Sequence, residues 1–393
     1  MRNCVYSIFF SVKEILNIEI QKYINANLKT DLHSLLLKKS PFPEVSMQEI
    51  VQQIKGKNVA AKKFPFLMKE GILFPPNLNL EQTSSEATAT YKSHLISGKT
   101  FLDLTCGFGI DAYFLSQNSD QITLVEQNSQ LIDLVENNWE ILNRKATFVN
   151  HNLEDFLNKN SEKFDIVFLD PARRDSNKNK VFLLEDLSPN LLEIQDEILK
   201  ISKQILIKLS PLIDISYLIS VLKNISEIHI VAVKNEVKEI LVLINSDKKT
   251  ENIKINCANL ETSEPDFEFY FNENFHSVSE YSESLKFLYI PNNSVLKSGA
   301  FNLVSEKFNV KKLHPNTHFY TSEKEIPQFP GRVLSVESVD AKTIKKGEKY
   351  NIISKNYPLK PEEIRKKYHL KDGGEHYLIF TTSVKGKVIL KSK

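Results

Sequence analysis

Phe101-Leu102-Asp103-Leu104-Thr105-Cys106-Gly107-Phe108-Gly109-Ile110-Asp111 is the stretch on which the reading turns. A short apolar run ends in an acid, bends through Gly-x-Gly and opens onto a helical periodicity at Ile110. This predicts a strand, a tight turn and a helix. Glycine removes the Cβ that would hold a ligand away from the backbone. The helix that follows offers unpaired N–H groups and the positive end of its dipole. A second acid, Glu126, ends the next apolar run, 23 residues after Asp103. An acid about 20 residues downstream is where a ribose diol is gripped in nucleotide-binding βαβ units. Thr105 stands where the dinucleotide fingerprint has its first glycine, so close approach of a pyrophosphate is disfavoured. An adenosyl ligand without phosphate tolerates the change. A plain tight turn would explain the glycines but has no use for the two acids.

Outward from this stretch, short apolar runs alternate with amphipathic segments. The expected strands are 101–104, 122–126, 147–150, 164–169, 205–208, 228–233 and 240–244. The expected helices are 110–117, 129–142, 153–158, 191–202 and 215–222. Such alternation gives a mostly parallel sheet covered on both faces. Only Lys234 to Glu239 join the last two strands, too few for a crossover helix, so that pair should be antiparallel.

Four further motifs surround the same end of the sheet. The strand Phe164–Leu169 delivers Asp170, followed by Pro171, Ala172, Arg173 and Arg174. Ligands of open α/β sheets bind at the carboxyl ends of strands. An acid there can accept a hydrogen bond from an amine, and a guanidinium can stack on a base or hold a phosphate. The same arginines could equally be a surface pair satisfied by Asp170 and Asp175. Ile207-Lys208-Leu209-Ser210-Pro211 closes the fifth strand; Lys208 and Asp214 either line the pocket or pair with solvent. No cysteine stands there to attack a pyrimidine carbon. Leu80-Glu81-Gln82-Thr83-Ser84-Ser85-Glu86 precedes the first strand and either caps a helix or folds over the ligand, through Gln82 and Ser85. Asn152, after the third strand, either holds an adenine or caps the next helix.

Residues 1–75 read as helical. Apolar residues at helical spacing run from Ile15 to Leu37, Ser40-Pro41-Phe42-Pro43 stops them, and a second pattern begins at Met47. Cys4 to Val12 is too short for a membrane span and has no small-residue cleavage site after it, so a buried element is expected over a signal peptide. Residues 246–285 are polar and acidic without a clear period. From Lys286 strands (287–290, 332–336, 350–354, 376–380, 387–390) mix with helices (295–306, 361–368), an α+β module. The boundaries expected are 1–80, 81–285 and 286–393.

The 393 residues are 41% hydrophobic and 25% charged, an ordinary globular balance. The three cysteines, Cys4, Cys106 and Cys257, are too few and too scattered for a disulfide framework or a zinc site, which points to a reducing, cytoplasmic setting and no metal. The net charge of +2 conceals an asymmetry: Pro291–Lys393 holds 20 Lys and Arg against 10 Asp and Glu, leaving −8 for the remainder. A basic terminal third suits a polyanion such as RNA, and suits equally a solvated lysine-rich surface.

The order of these motifs resembles that of class I S-adenosylmethionine-dependent methyltransferases, whose sheet has seven strands, one reversed. Residues 80–92 (LEQTSSEATATYK), LDLTCGFGIDA, FLDPARR, IKLSP, Lys297-Ser298-Gly299-Ala300-Phe301, His314-Pro315-Asn316-Thr317-His318 and the closing NYPLKPEEIRKKYHLKDGGEHYLIFT look like a bacterial group with a THUMP-like C-terminal domain. The first dozen residues look unlike that group and have the character of a misassigned start. The resemblance implies S-adenosylmethionine held by Asp103, Thr105, Gly107, Gly109, Asp111, Glu126 and Asn152, with Gln82 and Ser85 nearby. It implies Asp170 and Pro171 as acceptor-orienting groups, with Arg173 and Arg174 on the base or its phosphate. THUMP domains imply RNA as substrate, methylated at a base nitrogen. A protein or small-molecule methyltransferase, or a non-catalytic RNA-binding scaffold, are the competing expectations.

Overall fold

The computed structural model describes residues 12–76, 80, 83–173, 183–247 and 250–393. The expected features in Cys4–Val12 other than Val12 itself, and the residues Glu81, Gln82 and Arg174, lie outside them. The helical run expected over 15–37 is broken into Val12–Ile15, Ile18–Ala26 and Leu32–Leu36. Asn17 and Asp31 cause the breaks: each side chain accepts a hydrogen bond from a backbone N–H two or three residues on and restarts the helix. The next helix, Met47–Lys63, opens with a Ser46/Glu49 capping box and ends on Lys62 and Lys63. Between this helix and the first strand the chain is extended through Ile72, Leu73 and Phe74. Gln53 there clasps both the N–H and C=O of Phe74 (2.9 Å each), and Asn138 does the same for Leu73 (2.9 and 2.8 Å). Two amides thus satisfy a buried backbone that no sheet pairs.

The main sheet contains β1 (Thr100–Asp103), β2 (Gln121–Val125), β3 (Thr147–Val149), β4 (Phe164–Leu169), β7 (Ser202–Leu209), β8 (Ile225–Val233), β9 (Glu236–Asn245), β10 (Lys254–Leu260) and β11 (Phe267–Tyr270). A two-stranded ribbon of β5 (Ala172–Arg173) and β6 (Leu187–Ser188) follows β4. The sheet order is β11-β10-β8-β9-β7-β4-β1-β2-β3. Pairs β1–β2, β1–β4, β2–β3 and β4–β7 are parallel. Two residues, Lys234 and Asn235, join β8 to β9, both at positive φ (49° and 68°). That is the geometry of a tight hairpin, so β9 is the reversed strand the short connection required. From β3 to β8 this is a Rossmann-like, seven-stranded methyltransferase sheet.

The sheet has nine strands, however. Strands β10, parallel to β8, and β11, antiparallel to β10, occupy a region that shows no period in the sequence. Phe267-Glu268-Phe269-Tyr270 does alternate buried and exposed, but four residues are too few to carry a periodicity.

By internal contacts the chain divides into two units, Met1–Ile225 with Val242–Lys249, and Ser226–Leu241 with Thr250–Lys393. The second unit holds a seven-stranded sheet of β12 (Phe287–Pro291), β13 (Lys311–His314), β14 (Thr317–Ser322), β15 (Gly331–Ser338), β16 (Lys349–Ser354), β17 (Lys371–Ser383) and β18 (Gly386–Ser392), in the order β13-β14-β12-β15-β18-β17-β16. The hairpin β13–β14 is masked in the sequence by its polar residues. The helix expected over 295–306 is two, Asn293–Ser298 and Phe301–Lys307, because Gly299 takes φ 74° and ends the first. Leu288, Leu313, Phe319, Val336, Ile379 and Leu390 form one core of this module; Tyr350, Ile364, Leu370, Leu378 and Phe380 form another.

Gly109 and Gly299 have the same φ but different surroundings. A Cβ on Gly109 would meet Val135 Cγ1 at 2.9 Å and Trp139 Nε1 at 3.1 Å, whereas one on Gly299 meets nothing within 4 Å. Alanine at 299 should cost about 1 kcal/mol from backbone strain alone, and alanine at 109 about 2–3 kcal/mol from strain plus overpacking. Urea denaturation of both variants checks this; equal losses would remove the packing argument.

Candidate active site

The carboxyl ends of β1, β2, β4 and β7 open onto a cavity of about 350 Å³. The sheet order explains its place: β1 is followed by β2 on one side and β4 on the other, and loops diverge where strand order reverses. Thr105 to Asp111 form one wall, Glu126 to Asn128 a second, and Asp170, Ala172, Ser188 and Pro189 a third.

Gly107 (φ 53°) and Gly109 (φ 75°) make the turn after β1. A side chain on Gly107 would meet only Thr105 O, at 3.8 Å, so the room beside the loop is open. Thr105 has a positive role that its position in a glycine motif hides. Its hydroxyl accepts the Asp170 N–H at 2.7 Å, tying the β1 turn to the β4 turn. Glu126 lies on the cavity wall, accepting the N–H of Gly107 (3.0 Å) and of Asn128 (2.9 Å). Its remaining lone pairs are available to a diol.

Asp103 is placed differently from the expectation that it faces a ligand. It is 1% exposed, is absent from the cavity wall and accepts the Thr105 N–H at 2.9 Å. Burial pushes its carboxyl well above the usual range, against the Thr105 N–H and with help from Asp111, Asp170 and Glu126. It shapes the loop from beneath. Asn152 takes the capping role: it accepts the Asp155 N–H and donates to the Asp155 carboxylate, while its neighbours His151, Leu153 and Glu154 line the cavity. Ser85 likewise caps the helix Glu86–Ser93, and Thr83 is the residue on the wall among those of that segment that are described. Asp214 caps the helix Ile215–Val221. Pro171 is buried and is not part of the cavity wall. Arg173 lies in β5, and its side chain, like Arg174 and Gln82, is outside the described residues.

The sequence offered Asp111 and Lys208 separately; the structure joins them in a buried charge network. Lys208 Nζ lies 2.5 Å from Asp170 Oδ2 and 3.2 Å from Asp111 Oδ2. Asp111 also faces Lys92 Nζ at 3.1 Å and accepts the Ser84 hydroxyl at 2.8 Å. Lys92 is fully buried and donates to Ser84 at 3.0 Å. Burial alone would raise the Asp111 carboxyl, but Lys92, Lys208 and Ser84 outweigh it and hold it at about 2. Lys92 was missed, although its signal was present. Thr88, Ala89 and Lys92 share the buried face of one helix, and a lysine on such a face needs a partner. Cys106, buried beside Asp103 and Glu126, has its thiol pushed well up and is no nucleophile.

Four carboxylates on the wall, Asp111, Glu126, Glu154 and Asp170, outnumber its one lysine, Lys208, which suits a ligand bearing positive charge. No group of three metal-ligating side chains occurs among the described residues, nor a helix long and apolar enough to cross a membrane.

The network carries a pH signature. A carboxyl whose folded value lies below its unfolded value of about 3.9 stabilises the fold above that value, and the contribution is lost as pH falls toward the folded one. Asp111→Asn should therefore be less stable than wild type by roughly 3 kcal/mol at pH 6, with the gap narrowing from about pH 5 downward. Urea titrations across that range measure it; a gap constant with pH would show that Asp111 is not ionised.

Three family matches cover parts of the chain: conserved hypothetical protein 95 at residues 84–198, a ferredoxin-like domain at 287–330 and a THUMP domain-like family at 332–392. No curated protein matches. A solved structure described as a candidate methyltransferase from Porphyromonas gingivalis W83 is 30% identical, with a TM-score of 0.85 over 98% of this chain and 100% of that one. A candidate class I S-adenosylmethionine-dependent methyltransferase from Listeria monocytogenes is 14% identical over 62% of this chain and 94% of that one, at a TM-score of 0.37. A candidate methyltransferase from Streptococcus mutans, solved with S-adenosylhomocysteine, is 14% identical over 41% and 96%, at 0.31. The chain belongs to the family of the Porphyromonas protein, S-adenosylmethionine-dependent methyltransferases with a THUMP-like C-terminal domain.

Proposed function

We propose that this enzyme methylates a nitrogen of an RNA base, with Asp170 orienting the acceptor. The observation that carries the reading is the setting of Asp170. Its backbone is fixed by Thr105 and its carboxylate by Lys208, yet its side chain remains about 38% exposed on the cavity wall. A carboxylate so held accepts a hydrogen bond from an N–H and sets the direction of the nitrogen lone pair.

S-adenosylmethionine supplies an electrophilic methyl on a sulfonium. The chain's own residues have only to hold and align, which is worth several orders of magnitude in rate when geometry is in line. Glu126 receives the ribose hydroxyls. The open side of Gly107 and Gly109 admits the adenosyl group. Asp111 and Glu154 add negative charge along the wall. Arg173 and Arg174, after Asp170, engage the base or its phosphate. Support for RNA comes from the basic terminal third, whose lysines are mostly exposed, and from the THUMP-like match. Neutralised phosphates give affinity without sequence reading.

Calorimetry should show S-adenosylmethionine binding that Glu126→Ala weakens by about tenfold or more. Asp170→Ala should keep that binding while transfer of labelled methyl to RNA from a deletion strain falls by about a hundredfold. Label found in the protein fraction instead of RNA would overturn the substrate; loss of binding in Asp170→Ala would overturn its role.

A further inference from the structure

Two motifs, Lys297–Phe301 and His314–His318, take no part in the methyl-transfer cavity. They converge on Lys312 in the second unit. Lys312 lies at an irregularity in the β13–β14 hairpin, where the register shifts between Lys312 and His314. Bulges of this kind re-aim side chains. The Lys312 backbone is clamped as well, its N–H on Glu280 O (2.8 Å) and its C=O on the Ser282 N–H (3.0 Å). The side chain is turned inward and only 3% exposed.

A buried lysine is almost always paired with a carboxylate. Lys92 obeys that rule; Lys312 does not. Among the described residues no carboxylate lies within ion-pair distance of it. Its Nζ donates to Pro315 O at 3.2 Å and stands 5.8 Å from the Phe301 ring and 6.0 Å from that of Tyr281. One carbonyl and two ring faces at the outer limit of cation–π range leave donors unused and desolvation poorly offset. Beside it, the His318 ring stacks on Phe301 (3.5 Å between centroids, 8° between planes), and its Nδ1 is buried without a hydrogen-bond partner among the described residues. Burial, then the charges of Lys312 and Lys355, holds His318 down at about 4, so the ring is neutral in the free protein. Spare donors, an orphaned ring nitrogen, net positive charge and partly exposed aromatic rings lie together.

We infer that Lys312, His318 and Phe301 form a binding site for the phosphate group of a nucleotide, with its base against the neighbouring rings. A phosphate supplies the acceptors and negative charge that Lys312 lacks. Aromatic faces accept a base without regard to sequence. The nucleotide is either free or part of an RNA strand, and the site stands whether or not RNA is the methyl acceptor.

The full-length protein is tested by thermal unfolding and by NMR of the His318 ring. The probes are inorganic phosphate, adenosine 5′-monophosphate and a single-stranded RNA trinucleotide. Wild type should show a rise in melting temperature and a shift of the His318 signals with the nucleotide, more strongly than with phosphate. Lys312→Met should weaken that response by about tenfold or more, and Lys312→Arg should retain most of it. Free Lys312→Met should be at least as stable as wild type, because an uncompensated buried charge has been removed. Equal responses to nucleotide and trinucleotide assign a free nucleotide; a clearly stronger response to the trinucleotide assigns an RNA strand. If no probe perturbs His318, or if Lys312→Met is less stable and still responds, Lys312 is a structural pillar and the inference fails.

Discussion

The position of β1 between β2 and β4 is the constraint from which the site descends. Strand order reverses there, so the loops after β1 and β4 must part, and whatever lies between them is a crevice. The parting is kept narrow by two bonds across the gap: Leu104 N–H to Phe168 O at 3.1 Å and the Asp170 N–H to Thr105 Oγ1 at 2.7 Å. The first continues the sheet ladder one step past the strand. The second replaces ladder by side chain and ends it, turning Asp170 toward the cavity. A glycine at 105 would give the loop more freedom and lose this tie. The departure from the dinucleotide pattern is therefore a gain in rigidity at the β4 turn, at the expense of room for a pyrophosphate that this cofactor does not carry.

Charge is handled in two ways within the same crevice. Asp103 is deep, receives one N–H and meets no cation among the described residues, so burial pushes its carboxyl toward the neutral form. Asp111 is also buried, though it reaches the cavity wall, and it meets two ammonium groups and a hydroxyl and stays ionised. The difference is chiefly one of partners. Because Lys208 touches both Asp111 and Asp170, the acid at the start of the helix after Gly109 and the acid at the end of β4 share a counter-ion. The two halves of the site are thereby coupled mechanically and electrostatically.

Much of this was legible in the sequence, and unevenly so. Strands β1, β4 and β7 were visible because both of their faces are largely buried and they read as nearly unbroken apolar runs. The reversed strand was visible from connection length alone. Strands β10, β11, β13 and β14 were not, being short, half-exposed or interleaved with Asn, His and Thr. Of the site, Gly107, Gly109, Glu126 and Asp170 announced themselves through spacing at strand ends. Asn152 and Ser85 were ambiguous because the side chains that cap helices are the ones that also bind ligands, and geometry gave both to the caps. Lys92 could not be matched to Asp111 from a linear text, since the pairing exists only once the helix before β1 packs on the one after it.

The two buried lysines, set side by side, show what a static fold can say about ligands. Lys92 is closed: its charge is met by Asp111, its donors by Ser84 and the carboxylate, and nothing more is needed to explain its depth. Lys312 is at comparable depth with one carbonyl and two distant rings. Desolvating an ammonium costs several kcal/mol however it is done, so a fold that spends this without a carboxylate is under-determined by its own contacts. A hydrophobic residue of similar length would fill the same space at lower cost. What distinguishes lysine from that residue at position 312 is its capacity to meet negative charge, and no part of the described chain supplies that charge.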